Sequence, residues 1–187
     1  MSSFSQCRTE AWARAPATVR RLPSYCRDPS FFRATRLTLH VHRPSALRLS
    51  AAEARARLAA HDHGVLCTVH AERGVDAVPV VYVVDEDGFV AVPVDRVKPK
   101  STSRLQRERN LEADPRAALL VEHWDRDDWS RLWWVRAELR WQADAPAARV
   151  ADLAARLALA YPQYQDQPFT RLLVLRVVGL RGWAAGP

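Results

Sequence analysis

The residues best suited to chemistry lie between a predicted strand and a predicted helix. Of the 28 Lys and Arg residues only Lys98 and Lys100 are lysines, and one proline separates them. Ser101 and Thr102 follow directly, where a helix is expected to begin at about residue 103. Ammonium groups, hydroxyl donors and the free amides of a helix start together favour anions. This segment therefore predicts a phosphate site, and the alternative is an ordinary solvated basic helix start.

Tryptophan is the second concentration of unusual residues. Trp124, Trp129, Trp133 and Trp134 all fall in one predicted hairpin. Adjacent residues of a strand point to opposite faces, so only one of Trp133 and Trp134 can fill the interior. The other tryptophan is expected on an outer face, against a flat ligand or in an ordinary dimer contact.

Other catalytic chemistries find no support in the sequence. Three cysteines, Cys7, Cys26 and Cys67, form no CxxC pair and indicate neither a disulfide framework nor a zinc site. Glycine-rich dinucleotide and phosphate-loop motifs are absent, and the histidines show no triad arrangement. We therefore predict no metal site and no catalytic acid–base residue, and a reducing, cytoplasmic location fits best.

The positive charge is confined to the first quarter of the chain. The formal net charge is +7, and residues 1–48 account for it with nine arginines against Glu10 and Asp28. We expect this segment to be a mostly disordered extension upstream of the domain, the alternatives being a targeting peptide or a polybasic arm. Residues 49–187 are neutral overall, so nucleic acid is not an expected partner of the domain.

These motifs need a scaffold, and the pattern of residues 49–187 supplies one. A capping box, Ser50 with Glu53, predicts a helix to about Ala60, and further helices are predicted at 103–112 and 146–160. Predicted strands cover 65–69, 77–84, 89–94, 117–124, 132–141 and 172–183. No apolar run is long enough for a membrane span. Six strands in mostly antiparallel order with three helices predict a mainly β fold, a small closed or split β-barrel with peripheral helices.

Several of these segments together resemble a known family, the F420-dependent enzymes of the pyridoxamine 5'-phosphate oxidase class within the flavin/deazaflavin oxidoreductase superfamily. The resemblance runs from about Leu49 to the end of the chain. The segments that carry it are Val94-Asp95, Lys98-Pro99-Lys100, Arg104-Leu105, Arg109-Asn110, Asp114-Pro115-Arg116, the run from Asp127 to Arg136 and Arg181-Gly182-Trp183. The acidic turn followed by Leu132-Trp133-Trp134-Val135-Arg136 is the most specific of these segments.

The resemblance implies a split β-barrel of the FMN-binding type, a homodimer that holds a flavin-like cofactor in a groove between subunits. It implies coenzyme F420 as cofactor, with FMN as the alternative, and hydride transfer to a small organic substrate. The implied cofactor-binding residues are Lys98, Lys100, Ser101 and Thr102 at the phosphate, Val78, Pro79 and Val80 along the ring, and Trp133, Trp134 and Arg136 in a dimer-side wall.

Two departures from the family pattern lie beside the expected groove. The Gly-x-Pro-His-x-x-Pro pattern of the second hairpin is replaced by the sequence from Gly74 to Val80, and the loop before Lys98 is one residue longer. Three hypotheses remain open: an F420-dependent oxidoreductase, an FMN-dependent oxidoreductase of the same fold, and a non-catalytic role as a cofactor carrier or through nucleic-acid contact of the basic segment.

Overall fold

The computed structural model describes residues 47–96 and 104–186. Seven strands and three α-helices follow one another along this part of the chain. Their bounds are α1 (Ala51–Ala60), β1 (His63–His70), β2 (Gly74–Val81), β3 (Val83–Val84), β4 (Phe89–Asp95), α2 (Gln106–Ala113), β5 (Arg116–His123), β6 (Trp133–Trp141), α3 (Ala147–Ala160) and β7 (Phe169–Ala184). Short 3-10 helices lie at Trp129–Arg131 and Pro162–Tyr164.

All seven strands belong to one antiparallel sheet with the order β2-β1-β5-β6-β7-β4-β3. The sheet curls into a half-barrel, and its two end regions, β2 and the β4-β3 pair, approach each other without pairing. The predicted mainly β, split-barrel fold is therefore confirmed. The gap between β2 and β4 is where this architecture leaves room for a ligand.

The half-barrel encloses one continuous apolar core. Alternate residues of each strand point inwards, for example Leu66 of β1, Leu119 of β5 and Val135 of β6, all fully buried. Helix α1 closes the core with Ala54 and Leu58. Burial of this inner face is the main stabilising contribution to the fold.

Helix α1 begins where the sequence predicts. The amide of Ser50 donates to Glu53 Oε2 at 2.8 Å, and the amide of Glu53 donates to Ser50 Oγ at 3.2 Å. The predicted capping box is therefore confirmed. At the other end of the helix, the buried hydroxyl of Tyr82 donates to the carbonyl of Leu58 at 2.6 Å, which ties α1 to the sheet.

Helix α3 covers the outer side of β4 and β7. Its residues Leu153 and Leu157 are fully buried against Ala91 and Val174 in a second apolar cluster. Within residues 47–96 and 104–186, no helix packs on the outer side of β1, β2 and β5, and Val75 is 68% exposed there. The two halves of the sheet therefore differ: one outer surface is covered by α3 and the other is open.

The residues just before α1 extend the sheet. The amide of Leu49 donates to the carbonyl of Gly182 at 3.0 Å, and the amide of Ala184 donates to the carbonyl of Leu47 at 3.0 Å. Leu49 also fills the space beside Gly182, where a Cβ would lie 2.7 Å from its Cδ1. Residues 47–49 are therefore part of the folded domain.

Three element boundaries differ from the predictions by about three residues. The second strand begins at Gly74 rather than at 77 and is interrupted at Tyr82, so one predicted strand becomes β2 and β3. The last strand begins at Phe169 rather than at 172 because β4 continues to pair with it as far as Asp95.

The third difference concerns α2. This helix begins at Gln106 rather than at about 103, and its N-cap is Leu105. Glu108 accepts a hydrogen bond from the Leu105 amide at 2.7 Å and so replaces a side-chain cap.

Candidate functional site

A cavity of about 320 Å³ lies in the gap between β2 and β4 and is open to solvent. Both strands contribute apolar walls, while charged and polar side chains stand at one end. The lining residues are His63, Pro79, Val80, Val81, Val92, Pro93, Asp95, Arg107 and Tyr164. Mostly apolar walls with a few convergent polar groups are typical of small-molecule sites.

Arg107 supplies a positively charged side chain at the wall of this cavity. Its Nε is buried without a hydrogen-bond partner, and its Nη2 makes only a long contact of 3.5 Å to the carbonyl oxygen of Pro93. Burial lowers the pKa of Arg107 below its usual value, because desolvation disfavours the charged form. A guanidinium with unused donors at a cavity wall is suited to an anionic ligand.

Tyr164 and Asp95 form a polar pair beside Arg107. The Tyr164 hydroxyl donates to Asp95 Oδ2 at 2.8 Å, and packing against Tyr161 and Phe169 fixes the ring. Burial, followed by the nearby carboxylate, raises the pKa of Tyr164 well above its usual value. Tyr164 is therefore a neutral hydrogen-bonding group at any physiological pH.

The helix that carries Arg107 is anchored on both sides. Glu108, which is almost fully buried, accepts a hydrogen bond from Arg171 of β7 at 2.8 Å. The side-chain amide of Asn110 donates to Thr68 Oγ1 at 2.9 Å and to Asp76 Oδ2 at 3.0 Å. These contacts connect α2 to β1, β2 and β7, so the position of Arg107 is set by three strands.

His63 lies at the outer mouth of the cavity. Its Nδ1 is 2.6 Å from Asp62 Oδ1, and its ring stacks on His61 with centroids 5.7 Å apart. The hydrogen bond to His63 lowers the pKa of Asp62. Asp62 therefore stays ionised and orients the His63 ring.

The four predicted phosphate-binding residues, Lys98, Lys100, Ser101 and Thr102, lie outside the described residues. The chain on either side of them is described: Asp95 ends β4, and Arg107 belongs to the first turn of α2. Both flanking residues line the cavity. Described residues on both sides of the segment therefore contribute to this site.

The predicted ring contacts divide between the cavity and the core. Pro79 and Val80 line the cavity. Val78 instead packs against the apolar core of the half-barrel. Because residues alternate along β2, Pro79 points to the opposite side from Val78 and Val80.

The three predicted wall residues on β6 do not line this cavity. Trp133 and Trp134 lie on opposite faces, as expected: Trp133 packs against the core and lies under the guanidinium of Arg57 at 5.6 Å, while Trp134 is 37% exposed. Arg136 follows on the outer face, with its Nη2 3.7 Å from Glu138 Oε1. Trp134 and Arg136 thus belong to the surface that α3 leaves open.

Comparison with known proteins places this geometry in a family. The family model described as pyridoxamine 5'-phosphate oxidase matches residues 50–184. The chain belongs to the pyridoxamine 5'-phosphate oxidase family. The predicted resemblance is therefore confirmed at the level of this family. No protein of the curated set matches the sequence.

Solved structures share the fold of this pyridoxamine 5'-phosphate oxidase family member at low sequence identity. A conserved hypothetical protein from Mycobacterium tuberculosis superposes with a TM-score of 0.61 at 19% identity, covering 75% of this chain and 88% of that one. A heme binding protein from Mycobacterium smegmatis superposes with a TM-score of 0.56 at 22% sequence identity. The match covers 74% of this chain and 55% of that chain. A FAD-binding protein from Mesorhizobium loti superposes with a TM-score of 0.53 at 15% sequence identity. The match covers 72% of this chain and 93% of that chain.

Two further observations concern membrane spans and metal-type side-chain clusters. Across residues 47–96 and 104–186, no helix combines the length and the apolarity needed to cross a membrane. The same residues contain no group of three or more His, Cys, Asp and Glu side chains placed to hold a metal ion.

Sequence reasoning missed Arg107 and Tyr164. In the sequence, Arg107 is one of three arginines of the basic helix start, with Arg104 and Arg109, and only the helix face on which it lies distinguishes it. Arg109 is exposed and bonds to Gln106 and to the Arg104 carbonyl, whereas Arg107 points into the cavity. The available signal was the position of Arg107, directly after the predicted phosphate segment.

Proposed function

We propose that the protein is an oxidoreductase that binds a tricyclic flavin-type cofactor, coenzyme F420 or alternatively FMN, in the cavity between β2 and β4. The observation that carries the proposal is Arg107, a half-buried arginine whose buried Nε has no hydrogen-bond partner among the described residues, at the wall of an otherwise largely apolar cavity. Membership of the pyridoxamine 5'-phosphate oxidase family supports the same assignment.

The residues present fit such a cofactor at both of its ends. Arg107 would hold the phosphate, together with Lys98, Lys100, Ser101 and Thr102 of the adjoining segment. Pro79, Val80 and Val92 would contact the ring through their apolar surfaces. The bound cofactor supplies hydride transfer to or from a small organic substrate. The chain's own contribution is to bind and orient the cofactor and the substrate and to exclude water from them.

The open side of the cavity suggests how the site is completed. At about 320 Å³ the cavity is at the small end for a cofactor of this size. The outer sheet surface next to it exposes apolar side chains, including Val69, Val75 and Trp134. We propose that a second copy of the chain covers this surface, so that Trp134 and Arg136 form the wall facing the partner's cofactor. Light scattering that returns a monomer of about 21 kDa at micromolar concentration would exclude the shared site.

A non-catalytic ligand-binding role is the second candidate. Two of the solved structures with this fold are described as a heme binding protein and a FAD-binding protein. His63, oriented by Asp62 at the cavity mouth, offers a ring nitrogen that could ligate a heme iron. This role would use the same cavity without a hydride step.

A single set of titrations distinguishes these functions. The purified full chain is titrated under identical conditions with coenzyme F420, FMN, FAD and hemin, following the absorbance of each ligand. The proposal predicts saturable binding of F420 or FMN at micromolar affinity or better. Preferential binding of hemin, or no binding of either F420 or FMN, would overturn it.

A further inference from the structure

A second concentration of positive charge lies at the other end of the sheet. Arg116 of β5, Arg140 of β6 and Arg176 of β7 are direct cross-strand partners, so three arginines stand in one row across adjacent strands. All three side chains are exposed. Neighbouring strands are about 4.8 Å apart, so the row holds three cations within roughly 10 Å.

Two of these three arginines have no ion pair in the described part of the chain. Arg116 is held by Asp114, with Nη2 2.6 Å from Oδ2. Within residues 47–96 and 104–186, no carboxylate lies within 4 Å of the guanidinium of Arg140 or Arg176. Arg140 acts on Asp114 only at longer range, and Arg176 lies over the ring of Phe89 at 5.8 Å. Like charges directly opposite each other are destabilising, so an anion between them would be favourable.

Arg140 and Arg176 line a common cavity of about 540 Å³, together with Gln142, Val177 and Val178. A β-bulge shapes it: Val177 pairs with Leu139 and Gly179 pairs with Glu138, which leaves Val178 as an extra, 61% exposed residue. The Gln142 amide donates to the carbonyls of Arg140 and Trp141, so anion recognition falls to the two guanidinium groups. Two guanidinium groups with an apolar wall suit a small phosphate-bearing molecule.

This cavity is separate from the candidate cofactor site. The two share no lining residue. Arg176 pairs with Phe89 at the start of β4, whereas the cofactor cavity is lined by residues at the end of that strand. Val92, the nearest residue of β4 that lines the cofactor cavity, lies three residues along the strand from Phe89, roughly 10 Å.

We propose that Arg140 and Arg176 form a second anion site, which binds a small molecule carrying a phosphate or diphosphate group. The site does not depend on the proposed cofactor function. A ligand bound there would touch β6 and β7, the two strands that also carry Trp134, Arg136 and Trp183.

Calorimetric titration with sodium pyrophosphate at low ionic strength tests this site. The wild-type chain is compared with Arg140→Gln and Arg176→Gln, and with Arg116→Gln as a matched control from the same row. Each of the first two variants should weaken binding at least ~10-fold, whereas Arg116→Gln should bind within about twofold of wild type. Since the charges of Arg140 and Arg176 repel each other, the melting temperature of free Arg140→Gln and Arg176→Gln should not fall.

Five outcomes would overturn the proposal. The first is no saturable binding by the wild type, and the second is equal binding by all four proteins. The third is loss of pyrophosphate binding in Arg107→Gln, which would place the anion in the cofactor cavity. The fourth is a change of oligomeric state in Arg140→Gln or Arg176→Gln, which would show that these arginines pair with carboxylates of a second copy. A 12-base-pair duplex that binds more tightly than pyrophosphate would identify a nucleic-acid surface instead and would equally contradict a small-molecule site.

Discussion

The side-chain amide of Asn110 donates a hydrogen bond to Thr68 Oγ1 at 2.9 Å inside the barrel. The same amide also reaches Asp76, so one buried residue of α2 is bonded to both β1 and β2. Asn110 lies three residues after Arg107, close to one helical turn. The polar contact that fixes the helix therefore also sets where the cavity guanidinium stands.

Replacing Asn110 tests this anchor. Asn110→Ala leaves the buried Thr68 hydroxyl and the Asp76 carboxylate without this donor, which should lower the free energy of unfolding by about 1–3 kcal/mol. Urea unfolding measures the change. The control is Arg109→Ala, an exposed position on the same helix, where a change within about 0.5 kcal/mol is expected. Equal stability of the two variants would show that the contact to Thr68 contributes little.

Asp114 is a carboxylate that should make the stability of the folded protein depend on pH in the acid range. Hydrogen bonds from the Arg116 side chain and backbone lower the pKa of Asp114 from 3.8 to about 2. Because the folded pKa lies below the unfolded one, this stabilisation is present above about pH 4 and is lost as the pH falls toward 2. In Arg116→Gln the pKa of Asp114 should rise toward 3.8, as read from a carbon-13 NMR titration of the carboxyl group. An unchanged titration curve would mean that Arg116 is not the cause.

The start of the folded domain can be located by truncation. A chain that begins at residue 46 keeps the backbone bonds of Leu47 and Leu49 to β7 and should melt within about 2 °C of the full chain. A chain that begins at residue 50 loses both bonds and the packing of Leu49 against Gly182, so it should melt several degrees lower. Thermal unfolding of the two truncated chains decides the boundary. Equal losses in both would show that the basic segment itself stabilises the domain.

Much of this fold could be predicted from local sequence. The Ser50–Glu53 capping box, the turn at Gly88 and the strand alternation are local signals. They predict α1 and the succession of strands along the chain. The predicted ends of β2 and β7 were wrong because strand length depends on the partner strand. β2 starts at Gly74 since it pairs with β1 as far as His70, and that pairing leaves no local mark.

The candidate site was less accessible to sequence reasoning. The lysine pair could be singled out because lysine is rare in this chain, but burial of a particular arginine depends on the rotation of α2. Glu108 and Asn110 set that rotation through contacts with residues more than 30 positions away. The sequence likewise predicts that Trp133 and Trp134 point to opposite faces of the sheet. Only the sheet register shows which of the two lies on the outer face.

The lysine segment remains a prediction that mutagenesis can test. If Lys98 and Lys100 contact the cofactor phosphate, Lys98→Ala and Lys100→Ala should each weaken binding roughly tenfold to a hundredfold, about 1.5–3 kcal/mol. The melting temperature of the free proteins should hardly change, because the proposed contact is to the cofactor and not within the protein. Fluorescence titration with F420 or FMN measures the affinity. Wild-type affinity in both variants would exclude the lysines from the phosphate site.

The most direct test concerns Arg107. F420 and FMN are titrated into wild type, Arg107→Gln and the matched control Arg109→Gln, in which the neighbouring exposed arginine of α2 is changed. We predict that Arg107→Gln weakens binding of the preferred cofactor roughly tenfold to a hundredfold, while Arg109→Gln binds like wild type. The free Arg107→Gln protein should melt close to wild type, because the Arg107 guanidinium makes only one long hydrogen bond to the described part of the chain, at 3.5 Å to the Pro93 carbonyl. Wild-type cofactor affinity in Arg107→Gln would contradict the assignment of the cavity between β2 and β4 as the cofactor site.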